Sequence, residues 1–255
     1  MERWLAPLCQ ILILFAAIAC WQIASTSGFI DPFFFSSPEK IGSTLLRLFR
    51  SDTVWLHMGV TFYETIVGFL LGGFLGILTG MLIGVSPITM RILNPFILFF
   101  YSMPRIALAP IFIVILGLGV GSKIATVAFT IFFILLINTV AGIENIQPIW
   151  IQSTRLMGAT RLQIIRKVIL PGVLSWIFAG FRVALSLAFA SAVIAEFTGA
   201  TRGVGFQLML SSSNFDTTGG FAWMIILGLM AVTLNVAMGK LEEQILAWRP
   251  TASKW

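Results

Sequence analysis

"GFLLGGFLGILTGMLIG", residues 68–84, places glycine at 68, 72, 76, 80 and 84 among Leu, Phe, Ile and Met. Both parities of the run are apolar, so it does not read as a barrel strand with one polar face. Glycine at every fourth residue instead forms a slowly winding bare ridge on one side of an α-helix. Lipid supplies no hydrophobic drive for helix association, and small residues at this spacing let two backbones approach closely. Gly68, Gly72, Gly76, Gly80 and Gly84 therefore serve either fixed tight packing or a seam along which the helix slides or pivots.

The rest of the chain agrees with a membrane setting. Hydrophobic residues make up 58% of it, charged residues 10%, and the mean hydropathy is +0.99, whereas soluble domains carry about a quarter charged residues. Windows near the ~20 residues that a spanning helix needs occur at about 5–24, 61–85, 92–118, 124–143, 173–195 and 221–239. The expected fold is an all-α polytopic bundle of about six transmembrane helices, one domain over residues 1–255. Cys9 and Cys20 fall on one helix, ~16 Å apart along its axis, and so cannot bridge each other. The first run, "MERWLAPLCQILILFAAIAC", is expected to be retained as a span, its apolar stretch being long for a signal peptide.

Lysine and arginine orient the bundle. With both termini cytoplasmic, nine fall inside: Arg3, Arg91, Arg155, Arg161, Arg166, Lys167, Lys240, Arg249 and Lys254. Five fall outside: Lys40, Arg47, Arg50, Lys123 and Arg202. The bias places the basic segment 153–172 in the cytoplasm. The net charge of +6 then suits membrane topology and needs no nucleic acid. In the first outer loop Pro38, Ile41, Leu45, Leu48 and Phe49 predict a helix lying in the membrane interface as an anchor.

Charges inside spans mark candidate pathway positions. Pro104 and Pro110 interrupt the third span in "YSMPRIALAPIF", and broken helices are tolerated in lipid only where protein or water satisfies the freed carbonyls. Met103, Pro104 and Arg105 at the break, with Arg182 and Glu196 in the fifth span, are the candidates. Arg182 and Glu196 lie ~21 Å apart along one helix and are not expected to pair. Glu64 is expected at the interface, and His57 in an outer loop.

The segment "STRLMGATRLQIIRKVILPG" (153–172) concentrates Arg155, Arg161, Arg166 and Lys167 without an acid. Gly158 is expected to end one short helix. Thr160 caps a second, with Gln163 completing a capping box, and Pro171 is expected to stop it. Leu162, Ile165, Val168 and Ile169 share the face expected to pack on the bundle, leaving a basic hairpin over about 148–171.

The spacing of Gly158, nine residues, Val168, one residue and Leu170-Pro171 resembles the cytoplasmic signature of permease subunits of ATP-binding-cassette importers. "SMPRIALAPIFIVILGLGVGSKIATVAFTIFFILLINTVAGI", "GFRVALSLAFASAVIAEFTGATRGVGF" and "LEEQILAWRP" extend the resemblance to the nitrate, sulfonate, taurine and bicarbonate branch. It implies a type I importer permease fold in a bacterial inner membrane. It also implies a second, generally identical permease subunit, two cytoplasmic ATPase subunits holding ATP and Mg, and an extracytoplasmic solute-binding protein. Gln152, Ser153, Thr154, Arg155, Gly158, Ala159, Thr160, Leu170 and Pro171 would then form the coupling helix region that docks on the ATPase.

Two positions depart from the family pattern. Gln152-Ser153-Thr154 replaces the usual Glu-Ala-Ala, which removes a glutamate available for an ion pair with the ATPase. Glu64 stands near a position that is often arginine in the family.

No catalytic, cofactor or metal set is expected in the chain itself. "GLGVGSK" (117–123) lacks the glycine a phosphate loop requires before its lysine. The single histidine, His57, in an expected outer loop, argues against an intramembrane serine protease. A secondary transporter shares broken helices and buried charge, yet neither an internal repeat nor a carboxylate deep in a span is evident. Arg105 and Arg182 suit a small anion such as a sulfonate, taurine or nitrate. Related permeases that carry pyrimidine precursors leave the solute open.

Overall fold

The glycine ridge lies on helix α4, Asp52–Gly84, which Ser51 begins by accepting the Thr53 N–H on its hydroxyl. In the computed structural model, which describes residues 2–245, this ridge meets α7, Val120–Glu144. A Cβ at Gly68 would lie 2.5 Å from Val127 Cβ, one at Gly80 2.8 Å from Thr139 Cβ, and one at Gly84 2.6 Å from Ile143 Cδ1. At Gly72 and Gly76 it would strike the backbone carbonyls of Ala128 and Phe132. All five glycines therefore face one partner helix with no room for a side chain. The seam is a close backbone-to-backbone contact.

Helix α10, Leu170–Gly199, packs over that pair. Val127, Ile131 and Leu135 of α7 meet Phe178, Ala184, Ala188 and Ala192 of α10 and Phe69 of α4 in the main core. Helices α11, Val204–Ser213, and α12, Thr217–Ile245, complete the order. Five spans are long and apolar enough to cross a membrane: Leu8–Thr26, Asp52–Gly84, Val120–Glu144, Arg161–Gly199 and Thr217–Gln244. A sixth comprises Pro87–Ser102 and Arg105–Leu116, bent by 81°. Counted as one broken span, that bent pair brings the described residues to the expected six. Arg249, Lys254 and the end of "LEEQILAWRP" lie outside the described residues.

The break has one cause rather than two. Helix α5 (Pro87–Ser102) ends at Met103, whose extended backbone leads into Pro104 and a 3-10 turn, Arg105–Leu108. Pro110 sits in the first turn of α6, Ala109–Leu116, where its missing donor is not needed. The elbow is set at Pro104.

Near the amino end are α1, Glu2–Thr26, and a single turn, α2, Pro32–Phe35. Cys9 and Cys20 on α1 are free and exposed. Helix α3, Pro38–Phe49, starts as expected, with Ser37 as its cap. Its role as a lipid anchor is corrected. Ile41 is buried, while Leu45, Leu48 and Phe49 pack against Val54 of α4 and Trp223 and Ile226 of α12. The apolar stripe is covered by protein.

Toward the other end, α8 (Pro148–Leu156) and α9 (Arg161–Ile164) form the hairpin. Pro171 does not stop the second arm, which continues into α10 through a π-helical turn, Ile165–Ile169. In that turn the Leu170 N–H bonds to Ile165 O. The wider turn accommodates the proline ring, which would otherwise meet the carbonyl four residues back. Of the face expected to pack on the bundle, Ile169 is buried and Ile165 and Val168 pack against the same cluster, which also holds Ile146, Ile164, Val173 and Ile177, whereas Leu162 is exposed.

The seam makes a direct prediction. Gly72→Val should cost at least the ~1–3 kcal/mol of an overpacked core, read as a lower thermal midpoint in detergent. Gly59→Ala on the same helix, where an added Cβ meets nothing within 4 Å, should hold or raise the midpoint.

Candidate functional site

Three places gather the polar side chains. The first is the hairpin. Gly158 takes φ +79°, the left-handed region that glycine enters without penalty, and this turns the chain back after α8. Thr160 then accepts the Gln163 N–H while Gln163 Oε1 accepts the Thr160 N–H at 2.8 Å, the expected capping box. At the tip Leu156 and Met157 are 89% and 86% exposed. Gln152, Arg155, Arg161, Arg166 and Lys167 are exposed around them. Behind the turn a recess of about 450 Å³ is lined by Val85, Ile151, Arg155, Ala159, Arg161 and Ile165, among others. Such a hairpin offers both exposed apolar side chains and exposed cations.

The elbow is the second. Met103 and Pro104, with Leu98, Phe99 and Ser102, line an apolar recess of about 520 Å³. Arg105 stacks its guanidinium 4.7 Å from the centre of the Tyr101 ring. Its Nη1 is buried without a hydrogen-bond partner. Arg182 lies elsewhere and is paired, with Nη2 2.6 Å from Glu242 Oε2 on α12.

The third was not anticipated as a site. His57, Thr61, Glu64 and Thr65 of α4, Ser122 and Lys123 of α7 and Glu196 of α10 are all buried. They close the turn between α10 and α11. The Gly203 N–H donates to His57 Nδ1 at 3.0 Å, the Val204 N–H to Thr61 Oγ1 at 2.9 Å and the Gly205 N–H to Glu196 Oε2 at 2.6 Å. Thr61 Oγ1 in turn donates to Glu196 Oε1 at 2.7 Å. Because His57 Nδ1 accepts, its Nε2 carries the proton; Gln207 Nε2 lies 2.8 Å from it, and turning that amide over would put the oxygen there as the acceptor. Lys123 Nζ donates to Leu118 O at 2.7 Å and to Gly199 O, the last residue of α10. A carboxylate thus meets the positive end of α11 and an ammonium the negative end of α10.

Residues 72–242, more than half of the chain, match the family described as "Binding-protein-dependent transport system inner membrane component". The chain belongs to that family. The permease is 28% identical over 236 residues to the taurine transport system permease protein TauC of Escherichia coli (strain K12), covering 91% of this chain and 86% of that protein. It is 32% identical over 232 residues to the putative aliphatic sulfonates transport permease protein SsuC of Bacillus subtilis (strain 168), covering 91% and 84%. With the formylaminopyrimidine transport permease protein ThiX of Halalkalibacterium halodurans it shares 30% identity over 249 residues, covering 98% and 99%. The inward-facing structure of the MetNI methionine ABC transporter superposes with a TM-score of 0.63 at 21% identity, over 79% of this chain and 98% of that one. The fold is that of a type I importer permease, and the function is the transmembrane permease subunit of an ATP-binding-cassette importer. Its family is an inner-membrane one whose members work with a binding protein, a transport role rather than an enzymatic one.

The coupling candidates come together in this permease: Gln152, Ser153, Thr154, Arg155, Gly158, Ala159 and Thr160 form one hairpin, and Leu170-Pro171 opens α10 just past it. The pathway candidates do not. Met103, Pro104 and Arg105 share the elbow, Arg182 is held on α12, and Glu196 is in the buried cluster. Three expectations are corrected there. Glu64 is not interfacial but 1% exposed, and His57 and Lys123 are not in loops but in helices, Lys123 again 1% exposed. A signal for the α4 half existed: His57, Thr61 and Thr65 recur every fourth residue, and Thr65 and Glu64 fall three and four residues before Gly68, close to the glycine face. No comparable pattern pointed from α10 to Gly203 and Gly205.

Glu196→Ala should strip the acceptor of the Gly205 N–H. A buried donor left bare costs about 1–3 kcal/mol. Hydrogen exchange at that amide should accelerate roughly tenfold to a hundredfold, with amides at the hairpin unchanged.

Proposed function

We propose that the permease works as a pair of identical chains, multi-pass in a bacterial inner membrane with both termini cytoplasmic. Two cytoplasmic ATPase subunits dock on the hairpin at about 148–171 and hold ATP and Mg, this chain binding no cofactor itself. A solute-binding protein delivers a small anion of the sulfonate or taurine type from outside, and lipid covers the exposed spans. The hairpin carries the docking half of this reading: Leu156 and Met157 are exposed at its tip, and Arg155, Arg161, Arg166 and Lys167 are exposed along its arms. With Gln152 in place of the usual glutamate, docking rests on these cations and the apolar tip, and the ATPase groove that receives them is acidic. Closure of the ATPase pair would move the hairpin, and its second arm, continuous with α10 as Arg161–Gly199, passes the movement into the core.

For the solute, the elbow arginine is the supporting observation. Arg105 has a buried nitrogen without a partner, a donor suited to a sulfonate oxygen. Arg182 already has a carboxylate. The permeases named for taurine and aliphatic sulfonates agree with an anion. The permease named for formylaminopyrimidine supports the second reading, a pyrimidine-type solute.

A mild-detergent pull-down should recover a Walker-type ATPase at one copy per permease. A preparation lacking it that still transports under an ion gradient would overturn the assembly. Gly158→Val should insert normally but lower ATPase association roughly tenfold, since the left-handed backbone costs a side chain ~1–2 kcal/mol. In proteoliposomes Arg105→Ala should abolish solute-stimulated ATP hydrolysis, and Arg182→Ala, which breaks a pair 68% exposed on the arginine side, should leave most of it. Equal, full activity in both would reject the anion reading and favour the pyrimidine-type solute.

A further inference from the structure

The cluster at the α10–α11 turn contains two buried carboxyls and one buried ammonium. The carboxyls of Glu64 and Glu196 lie within hydrogen-bonding reach of each other, and Lys123 is within electrostatic range of both. Each of the three is 1% exposed. Their surroundings differ. Glu196 accepts from Thr61 Oγ1 and from the Gly205 N–H, donors that suit a carboxylate anion. Glu64 Oε2 is buried with no partner at all.

The remaining charged and titratable groups facing this cluster do not supply a second cation. His57 of α4 is neutral, because its Nδ1 accepts the Gly203 N–H. Arg202, within electrostatic range of His57, is exposed on the turn. Lys123 balances one carboxylate. A second would leave an uncompensated buried negative charge facing another anion, and such groups take up a proton instead.

We propose that Glu64 and Glu196 form a proton-binding site: one proton rests on Glu64 and is donated to the Glu196 carboxylate, with Lys123 as the fixed counter-charge. The O–H of Glu64 supplies the donor that two carboxylates in contact would lack, and the cluster becomes neutral. The bound proton comes from water and no bond other than this O–H forms. It joins α4 to α10 at the point where Glu196 holds the start of α11, so the turn at 200–205 is closed by a proton as well as by backbone donors. The site does not depend on the identity of the solute or of the ATPase.

Infrared difference spectroscopy on the purified full chain with its co-assembling subunits tests this near neutral pH. The wild type minus Glu64→Gln spectrum should show the carbonyl stretch of one protonated carboxyl, shifting in heavy water. Glu64→Gln should otherwise assemble as the wild type does, because an amide replaces a neutral hydrogen-bond donor. If that variant fails to assemble, the same band is sought in the wild type and in Glu196→Gln, where the carboxylate acceptor is gone and the band should move or vanish. No such band in the wild type, or a band unaltered in frequency and intensity by both substitutions, would overturn the proposal.

Discussion

The backbone contact between α4 and α7 is the constraint on which the rest of the bundle depends. In lipid, two helices gain little by covering apolar side chains, so they associate through close packing and interhelical hydrogen bonds. Five glycines at four-residue spacing let α4 lie against the carbonyls of Ala128 and Phe132. Once those axes are fixed, α10 has one groove to fill, and Phe178, Ala184, Ala188 and Ala192 fill it.

The same seam positions the chemistry at both ends. Above the glycines α4 carries Thr65, Thr61 and His57, and the close approach brings Lys123 of α7 beside them. Glu196 of α10 completes the group and holds the start of α11. At the opposite end Ile77 and Met81 of α4, with Val85 just past it, support the buried face of the hairpin. The continuous Arg161–Gly199 run and the α4–α10 contacts join the hairpin to the polar cluster. The hairpin and the buried charges are two ends of one packed unit.

Prolines divide the labour differently from their sequence context alone. Pro104 breaks a span because no element on its N-terminal side absorbs the lost donor. Pro171 does not, because the π-turn at Ile165–Ile169 widens just before it. Pro110 and Pro148 start helices and cost nothing. The outcome at each follows from what the preceding turn can accommodate.

Much of the architecture was legible in local pattern. Apolar run lengths determined the six spans, the glycine period determined an intimate helix pair, and Thr160, Gln163 and Gly158 determined the hairpin turn, because each depends on residues within a turn or two. The resemblance to importer permeases rested on the same local spacing. Only the tertiary structure decided the partner of Arg182, the covering of α3 by α12, the continuity past Pro171, and the burial of His57, Glu64 and Lys123. Those outcomes rest on contacts between residues far apart in the chain, such as the 146 positions that separate His57 and Gly203. A charge beside an apolar run looks the same in sequence whether it faces water or a helix end buried against it; the approach of a second and third helix decides which.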